Sequence, residues 1–449
     1  MELLWTDKCF LGVLLISTLI IIFSLRKKHI RLAFKRILKR PLAVSAGVVL
    51  LFFLVIGVMD SVHLKQTNAE FKNTTSSQTE SILDKILSPL GTVYEKTYSA
   101  PLALNLYSAE TRLIDDKPQQ IYPRLNYGSQ TIKNTEDRTQ EVVRALIKAA
   151  WVSLTGGIFL WCLLIVIRSM RAEKLIILPS KLSFSVLLTV FLCLFIALAG
   201  YWLSRNFHVL GTGKIGQDIF YYTVKSIRTG LVIGILTTLF MLPLALFFGI
   251  GAGYFGGLID DIIQYIYTTL SSIPGVLLIT ASVLSMQTYI ANHPQQFATL
   301  SKSADARLFA LCLILGVTSW TSLCRLLRAE TLKLREVDYV TAARALGSSS
   351  FTIIRKHLLP NVMHIVLITL VLDFSFLVLA EAVLSYVGVG VSPMTISWGN
   401  MINGARLELA REPIVWWPMM SAFVFMFVLV LASNLFADAV RDAFDPHQA

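Results

Sequence analysis

Nine windows of about twenty mostly apolar residues recur along this chain of 449 residues, near 9–25, 42–58, 148–168, 183–203, 227–253, 262–285, 307–325, 362–388 and 415–437. Each is long enough to cross a hydrocarbon layer roughly 30 Å thick as a helix. Inside such a layer every backbone N–H and C=O has to be satisfied within the protein, which leaves only helices and closed barrels. The expectation is an all-α polytopic membrane protein with about nine transmembrane helices. Composition agrees, because only 15% of residues are charged where soluble domains carry roughly a quarter.

The formal charge of +12 is what a nucleic-acid binder would carry, but no basic face is interleaved with exposed aromatics. The basic residues cluster beside apolar runs instead, as expected of cytoplasmic loops. Arg26 to Arg40, RKKHIRLAFKRILKR, holds eight Lys and Arg and no acid, so it reads as cytoplasmic and the N-terminus as outside. Counting spans forward puts Arg168–Lys174 and the loop 326–361, both basic, on the same side, with the C-terminus inside. The first apolar run reads as a signal-like anchor whose charges follow the apolar stretch.

From Asp60 to about Arg144 the chain is polar and of mixed charge, too long for a hairpin. It reads as an extracytoplasmic module, a spacer or subunit contact more than a ligand site, with Ile82, Leu83, Ile86, Leu87 and Leu90 at helical spacing. The triplet Asn73, Thr74, Thr75 matches a glycosylation sequon too common to weigh. Cys9, Cys162, Cys193, Cys312 and Cys324 show no CxxC pairing, and His208, His293, His357 and His364 no metal-ligand spacing. Neither a metal site nor a cofactor is expected.

The segment Tyr339 to Asn361, YVTAARALGSSSFTIIRKHLLPN, is a polar helix-turn-helix pattern between two apolar runs. Ala342, Ala343, Ala345 and Leu346 form a short helix that Gly347 ends in a left-handed position. Ser348, Ser349 and Ser350 supply a turn and an N-cap for a second helix, Phe351 to Leu359, which Pro360 is expected to stop. On pattern alone this is either an amphipathic hairpin or a docking surface.

That segment resembles the EAA-type cytoplasmic loop of bacterial ABC importer permeases: Ala342, Ala343, Gly347, Leu359 and Pro360 match, and Thr341 stands where Glu is usual. Further stretches run in the order of the oligopeptide and dipeptide permease branch (the OppC or DppC type). They are HVLGTGKIGQD at His208–Asp218, GAGYFGGLIDD at Gly251–Asp261, CRLLRAETLKLREVDYV, LAEAVLSYVGVG at Leu379–Gly390, SWGN at Ser397–Asn400, and RDAFDP. KRPLAV at Lys39–Val44 resembles the start of that family's first membrane helix. Gly213 and Gln217 depart from the charged pair of the HxLGTDxxGRD-like segment, so no role of that pair carries over.

The resemblance covers about 208–446 and implies a six-helix type I permease core over 208–449. N-terminal additions precede it: a hairpin over 1–59, the module over 60–144 and an extra helix pair over 145–207. It further implies a transport subunit with no catalytic residues, in the inner membrane, taking peptides. Its implied partners are separate ABC ATPase subunits, a second permease subunit, an extracytoplasmic solute-binding protein and the lipid bilayer. Tyr339, Thr341, Ala342, Ala343, Arg344, Leu346, Gly347, Leu359 and Pro360 become the ATPase-coupling loop. Permeases for nickel or an antimicrobial peptide, or a scaffold using the module as a receptor, are the alternatives.

Two acids, Asp373 and Glu381, lie in the eighth apolar run, where an unpaired charge costs several kcal/mol, so both should face the bundle. They line a translocation path or gate, or they make interhelical hydrogen bonds. Pro274 with Ser271 and Ser272 either marks a polar path or kinks a mid-membrane helix. The glycines of GIGAGYFGG lack the Lys and Ser or Thr of a phosphate loop and read as tight packing and a turn. An intramembrane hydrolase is the weaker reading, since no GxSxG occurs and Asp373 has no evident Asp partner in the sequence.

Overall fold

Helices account for each of the apolar runs in the computed structural model, which describes residues 4–24, 26, 28–65, 79–114, 117–127, 135–170, 181–293, 295, 297 and 299–444. Asn73 to Ser77, Asp115 and Asp116, residues 171–174 of the second basic loop and the Asp445-Pro446 end of RDAFDP lie outside the described residues. Among the described residues nine helices are long and apolar enough to cross a membrane, in accord with the all-α polytopic expectation.

The chain begins with α1 (Trp5–Ser24), the basic α2 (Lys28–Ile37) and α3 (Pro41–Ser61). Two small antiparallel pairs follow, β1 (His63–Lys65) with β2 (Thr79–Ser81), and β3 (Glu110–Ile114) with β4 (Lys117–Ile121), with α4 (Ile82–Ile86) between them. Then come α5 (Thr135–Met170), α6 (Lys181–Leu203), α7 (Ile219–Phe255), α8 (Gly257–Ser272), α9 (Gly275–Asn292) and α10 (Leu300–Arg335). The chain closes with α11 (Asp338–Ala345), α12 (Ser350–Ile353), α13 (Leu359–Val387), α14 (Trp398–Ala405) and α15 (Trp417–Phe444).

Two compact units divide this chain. The first comprises Leu38–Thr229 and Ile396–Ala432. In it α6 packs on α3 and α5, and Ser45 and Ser185 share a hydrogen bond of 2.9 Å between α3 and α6. Helix α4 is short but doubly capped: the Ser81 hydroxyl accepts from the Asp84 N–H while the Asp84 carboxylate accepts from the Ser81 N–H, a capping box. A small core of Tyr98, Ile219, Val415 and Trp417 ties the loops around it.

The second unit comprises Leu4–Ile37, Gly230–Thr395 and the chain from Ser433. Helix α10 is its hub, packed by α1, α8, α9 and α13. Helices α7 and α10 meet through missing side chains. A Cβ on Gly249 would stand 2.8 Å from the Leu327 Cβ, and one on Gly253 2.6 Å from the Thr331 Cβ. This is the small-xxx-small spacing that lets membrane helices approach closely, so the glycine run packs as expected. Trp5 and Thr6 at the start of α1 donate backbone N–H groups to Asp305 near the start of α10, so these two helices run parallel.

Two expectations need correction. The single span expected at 262–285 is two helices, because Ile273 and Pro274 take extended and non-helical backbone angles and end α8 before α9 begins. Pro274 therefore N-caps a span and does not kink one. Pro360 does not stop the second loop helix either. It occupies the first turn of α13, where a missing N–H costs nothing. The preceding turn Ile354–Leu358 widens to π geometry, with the Leu359 N–H reaching the Ile354 carbonyl. That wider turn absorbs the ring, so α12 runs on into α13.

Candidate docking site

The loop joining α10 to α13 is terminated by side-chain and backbone bonds at each bend. After α11 the Ser348 N–H bonds to the Ala343 carbonyl and the Gly347 N–H to the Arg344 carbonyl, the paired bonds of a Schellman motif. Gly347 has φ +75°, left-handed backbone that a residue with a β-carbon disfavours, while nothing lies within 4 Å of where its Cβ would be. The glycine is needed for its conformation and not for space. Ser349 then caps α12 by accepting from the Thr352 N–H.

Anchoring side chains hold this loop to the second unit. Val340, Ile353 and Leu358 are fully buried in the same apolar core as Leu323, Leu327 and Val362, and Ala343, Ile354 and Leu359 pack against it. Asn361 Nδ2 donates to the Tyr339 hydroxyl at 2.6 Å and to the His357 carbonyl at 2.8 Å, which pins α11 to the foot of α13. The Arg344 guanidinium lies 5.7 Å from the Tyr254 ring centroid. Thr341, in the place where an acid is usual, turns its hydroxyl back to the Asp338 carbonyl at 2.9 Å, so it closes its own helical turn and offers no charge outward.

The outward face is apolar at its tip. Leu346 is 85% exposed and Phe351 72%, one on each side of the Gly347 reversal, and Tyr339 is exposed beside them. Large apolar side chains held out by a rigid, capped frame are what a partner surface buries.

A second layer braces the loop from behind. Arg328 Nε and Nη2 donate to the two carboxylate oxygens of Asp260 at 2.5 and 2.7 Å, and that bond outweighs burial to hold the Asp260 carboxyl below its ordinary range. Arg325 donates to the Ser271 hydroxyl at 2.9 Å and lies 4.8 Å from the Tyr267 ring centroid. Ser271 thus sits against the arginines of α10; Ser272 bonds to the Thr269 carbonyl, and both serines and Pro274 are exposed. Glu381 is buried and accepts from the Ser385 hydroxyl at 2.7 Å, and Asp373 is half-buried on the same helix. Ser271 belongs to the α8–α10 brace, while Ser272 bonds within α8 and Glu381 accepts from within α13.

Sequence reasoning missed a charged centre in the first unit. His208 is fully buried, its Nδ1 2.6 Å from the Asp218 carboxylate and its Nε2 3.7 Å from Glu95. Burial alone would pull the imidazole down, but the two carboxylates push it up to about 9. Glu95 also accepts the Asn126 and Tyr127 N–H groups at 3.0 and 2.8 Å. Nearby, Lys225 donates to Asp84 at 2.6 Å. The available signal was the His208–Asp218 spacing across two turn glycines; Glu95, far upstream, gave none.

Residues 245–449 match the family described as binding-protein-dependent transport system inner membrane component. The chain is similar to the dipeptide transport system permease protein DppC of Lactococcus lactis, with 30% identity over 54% of this chain and 65% of that relative. It is also similar to the glutathione transport system permease protein GsiD of Pectobacterium atrosepticum, at 32% identity over 53% of this chain and 72% of the relative. The oligopeptide transport system permease protein OppC of Mycobacterium tuberculosis is 31% identical over 53% of this chain and 76% of its own length. The chain thus spans 65% of the length of the first of these.

Proposed function

Since the chain belongs to the family of binding-protein-dependent transport system inner membrane components, multi-pass transport permeases of the inner membrane, we propose that it is the membrane-spanning permease subunit of an ATP-driven importer of peptides. The relatives' names, dipeptide, oligopeptide and glutathione permeases, support peptides as the cargo class. ATP binds on separate subunits that dock on the α10–α13 loop, a second permease subunit completes the channel, and an extracytoplasmic binding protein delivers the solute. The observation that carries this reading is the pair Leu346 and Phe351, held out by a loop that Val340, Ile353 and Leu358 anchor in the apolar core.

In this mechanism the ATPase grips Leu346, Phe351 and Tyr339, and its closure displaces the loop as a rigid element. The loop cannot absorb the push by bending, because Gly347, Ser349 and the Tyr339–Asn361 bond fix its shape. The displacement passes to α10 and to α13, which carries Asp373 and Glu381, and through the Arg325 and Arg328 contacts to α8 and the Pro274 junction. Asp373, Glu381 and Pro274, with Ser271 and Ser272, are proposed as the path or gate. The parallel course of α1 and α10 supports an outside N-terminus, since α10 has to end on the ATPase side.

The test is co-purification. Changing Leu346 and Phe351 to Asp should lower the recovery of the ATPase subunit with the chain at least tenfold. The chain itself should keep its stability, because exposed substitutions usually stay within about 0.5 kcal/mol. Recovery at the wild-type level would sink the docking assignment. For the orientation, Thr92 is exposed, and a cysteine placed there should react with a membrane-impermeant maleimide on intact cells. Labelling that needs lysis would reverse the topology.

A further inference from the structure

The module between α3 and α5 holds an open cavity of about 690 Å³, within the range of roughly 300–1,000 Å³ typical of small-molecule sites. Its polar lining is Asn105, Tyr107, Tyr122, Arg124 and Arg138, with no acidic side chain among the described residues that line it. The remaining wall is apolar, from Ala100 and Leu104 to Pro413. A cationic, aromatic and partly apolar pocket of this size selects a small ligand with one anionic end and an apolar body.

The frame of the pocket is rigid. Asn105 and Arg124 face each other in an isolated antiparallel bridge, flanked by the Leu106 N–H to Pro123 carbonyl bond at 2.8 Å and the Leu125 N–H to Leu104 carbonyl bond at 3.0 Å. Tyr122 and Arg124, two residues apart on extended chain, share one side of it. Tyr107 is fixed at both ends: its hydroxyl donates to the Ile414 carbonyl at 3.2 Å and its ring meets Trp417 edge-on at 4.9 Å. Leading into this segment, Leu102 takes φ +57°, left-handed backbone rare for a residue with a branched side chain, of the kind that collects at functional sites. Its N–H bonds to the His208 carbonyl at 3.0 Å, which holds the strained turn in place.

We propose that this cavity binds a short peptide by its C-terminal carboxylate, with Arg124 and Arg138 on the carboxylate and Tyr107 and Tyr122 against the side chains. Guanidinium groups suit a planar carboxylate because they present paired N–H donors. A concave pocket of this volume fits a di- or tripeptide, whereas the acidic face of a protein partner would need a wider, flatter surface. The identity of the ligand rests on the peptide-permease reading; the pocket and its charge do not. On that reading the added module gives the permease a cargo-binding step of its own, besides the binding protein's.

The experiment uses the full chain in nanodiscs of phosphatidylcholine and titrates the tripeptide Ala-Phe-Ala with a free or an amidated C-terminus. The free acid should bind at least tenfold more tightly than the amide. Arg124→Gln and Arg138→Gln should each weaken the free acid about tenfold, the worth of one charge-assisted hydrogen bond, and leave the amide unchanged, while Arg124→Lys should fall between. Equal affinities, no binding of either peptide, or unaffected variants would each overturn the proposal. So would displacement of the bound peptide when phosphatidylglycerol replaces part of the phosphatidylcholine, which would assign the pocket to anionic headgroups. Loss of ATPase co-purification with free-acid selectivity intact would remove the permease reading alone. Intact co-purification with acid and amide bound alike would remove the pocket alone.

Discussion

Asp218→Asn is expected to loosen the loops around His208 by about 3 kcal/mol at neutral pH, roughly a hundredfold in their opening equilibrium. Asn keeps the shape and can still accept the Tyr221 N–H that Asp218 caps at 2.8 Å, but it then turns an NH2 group toward His208 Nδ1, so both the charge and the acceptor for the imidazolium are lost. The buried imidazolium would keep only Glu95, at 3.7 Å. The wild type should show a matching pH dependence. His208 is raised from 6.5 to about 9, so its contribution is fully present below pH 6.5 and is lost as pH rises through about 9, in total about 3 kcal/mol. Glu95 has the opposite sign. Burial pushes it up, but the His208 bond and the Asn126 and Tyr127 N–H groups more than offset this and lower it. Its contribution is present above its ordinary 4.5 and disappears as pH falls through the lowered value. Tyr127, whose ring lies 5.3 Å from His208, is raised by burial and by Asp218 and lowered by Arg205, with a net rise, so it stays neutral through this window. Amide hydrogen exchange at Asn126 and Tyr127, corrected for intrinsic rates, is the readout. It should be slowest between about pH 5 and 6.5, quicken as pH rises toward about 9, and be about a hundredfold faster in the variant near pH 6; a flat profile with equal rates would rule out a charged triad.

The distance between what the chain announces and what it conceals follows the range of the forces involved. Spans are legible because twenty apolar residues in a row leave few alternatives, and the Gly347 reversal because a local backbone requirement selects glycine. The split at Pro274 was hidden, since α8 is amphipathic but apolar enough to merge with α9 in a hydropathy window. Pro360 misled for a related reason: a proline reads as a stop unless the turn before it can widen, and that depends on the packing of Ile353 and Leu358. The charged contacts lay furthest from view. Glu95 with His208, Asp84 with Lys225, and Thr6 with Asp305 are each brought together by tertiary structure across more than a hundred residues. An isolated acid such as Asp305 can be suspected from the cost of burying charge, but its partner cannot be read from spacing. The cavity around Arg124 belongs to the same class, because it is made by a bridge between two irregular segments and a proline from a third.

The brace behind the docking loop makes the sharpest functional prediction. Asp260→Ala should uncouple ATP hydrolysis from uptake, lowering solute moved per ATP at least tenfold while the ATPase still co-purifies. The reason is mechanical. On the proposed mechanism a push on the loop would reach α8 through α10, where the two-pronged Arg328–Asp260 pair joins the helices, supported by Gln264 at 3.1 Å from the same carboxylate. The side chains are 23% and 13% exposed, so removing Asp260 strands a largely desolvated guanidinium at a cost of about 3 kcal/mol, more than an exposed pair would forfeit. Helix α8 would then separate from α10 before it followed a displacement of the loop. The exposed face of the loop, Leu346 and Phe351, is untouched by this change, which is why docking should survive. Exchanging the pair, Asp260→Arg with Arg328→Asp, should restore part of the ratio, because the link depends on opposite charges meeting and not on which helix carries which. If Asp260→Ala moved as much solute per ATP as the wild type, α8 would lie outside the coupling route. The push would then have to travel through α13 alone, past Asp373 and Glu381.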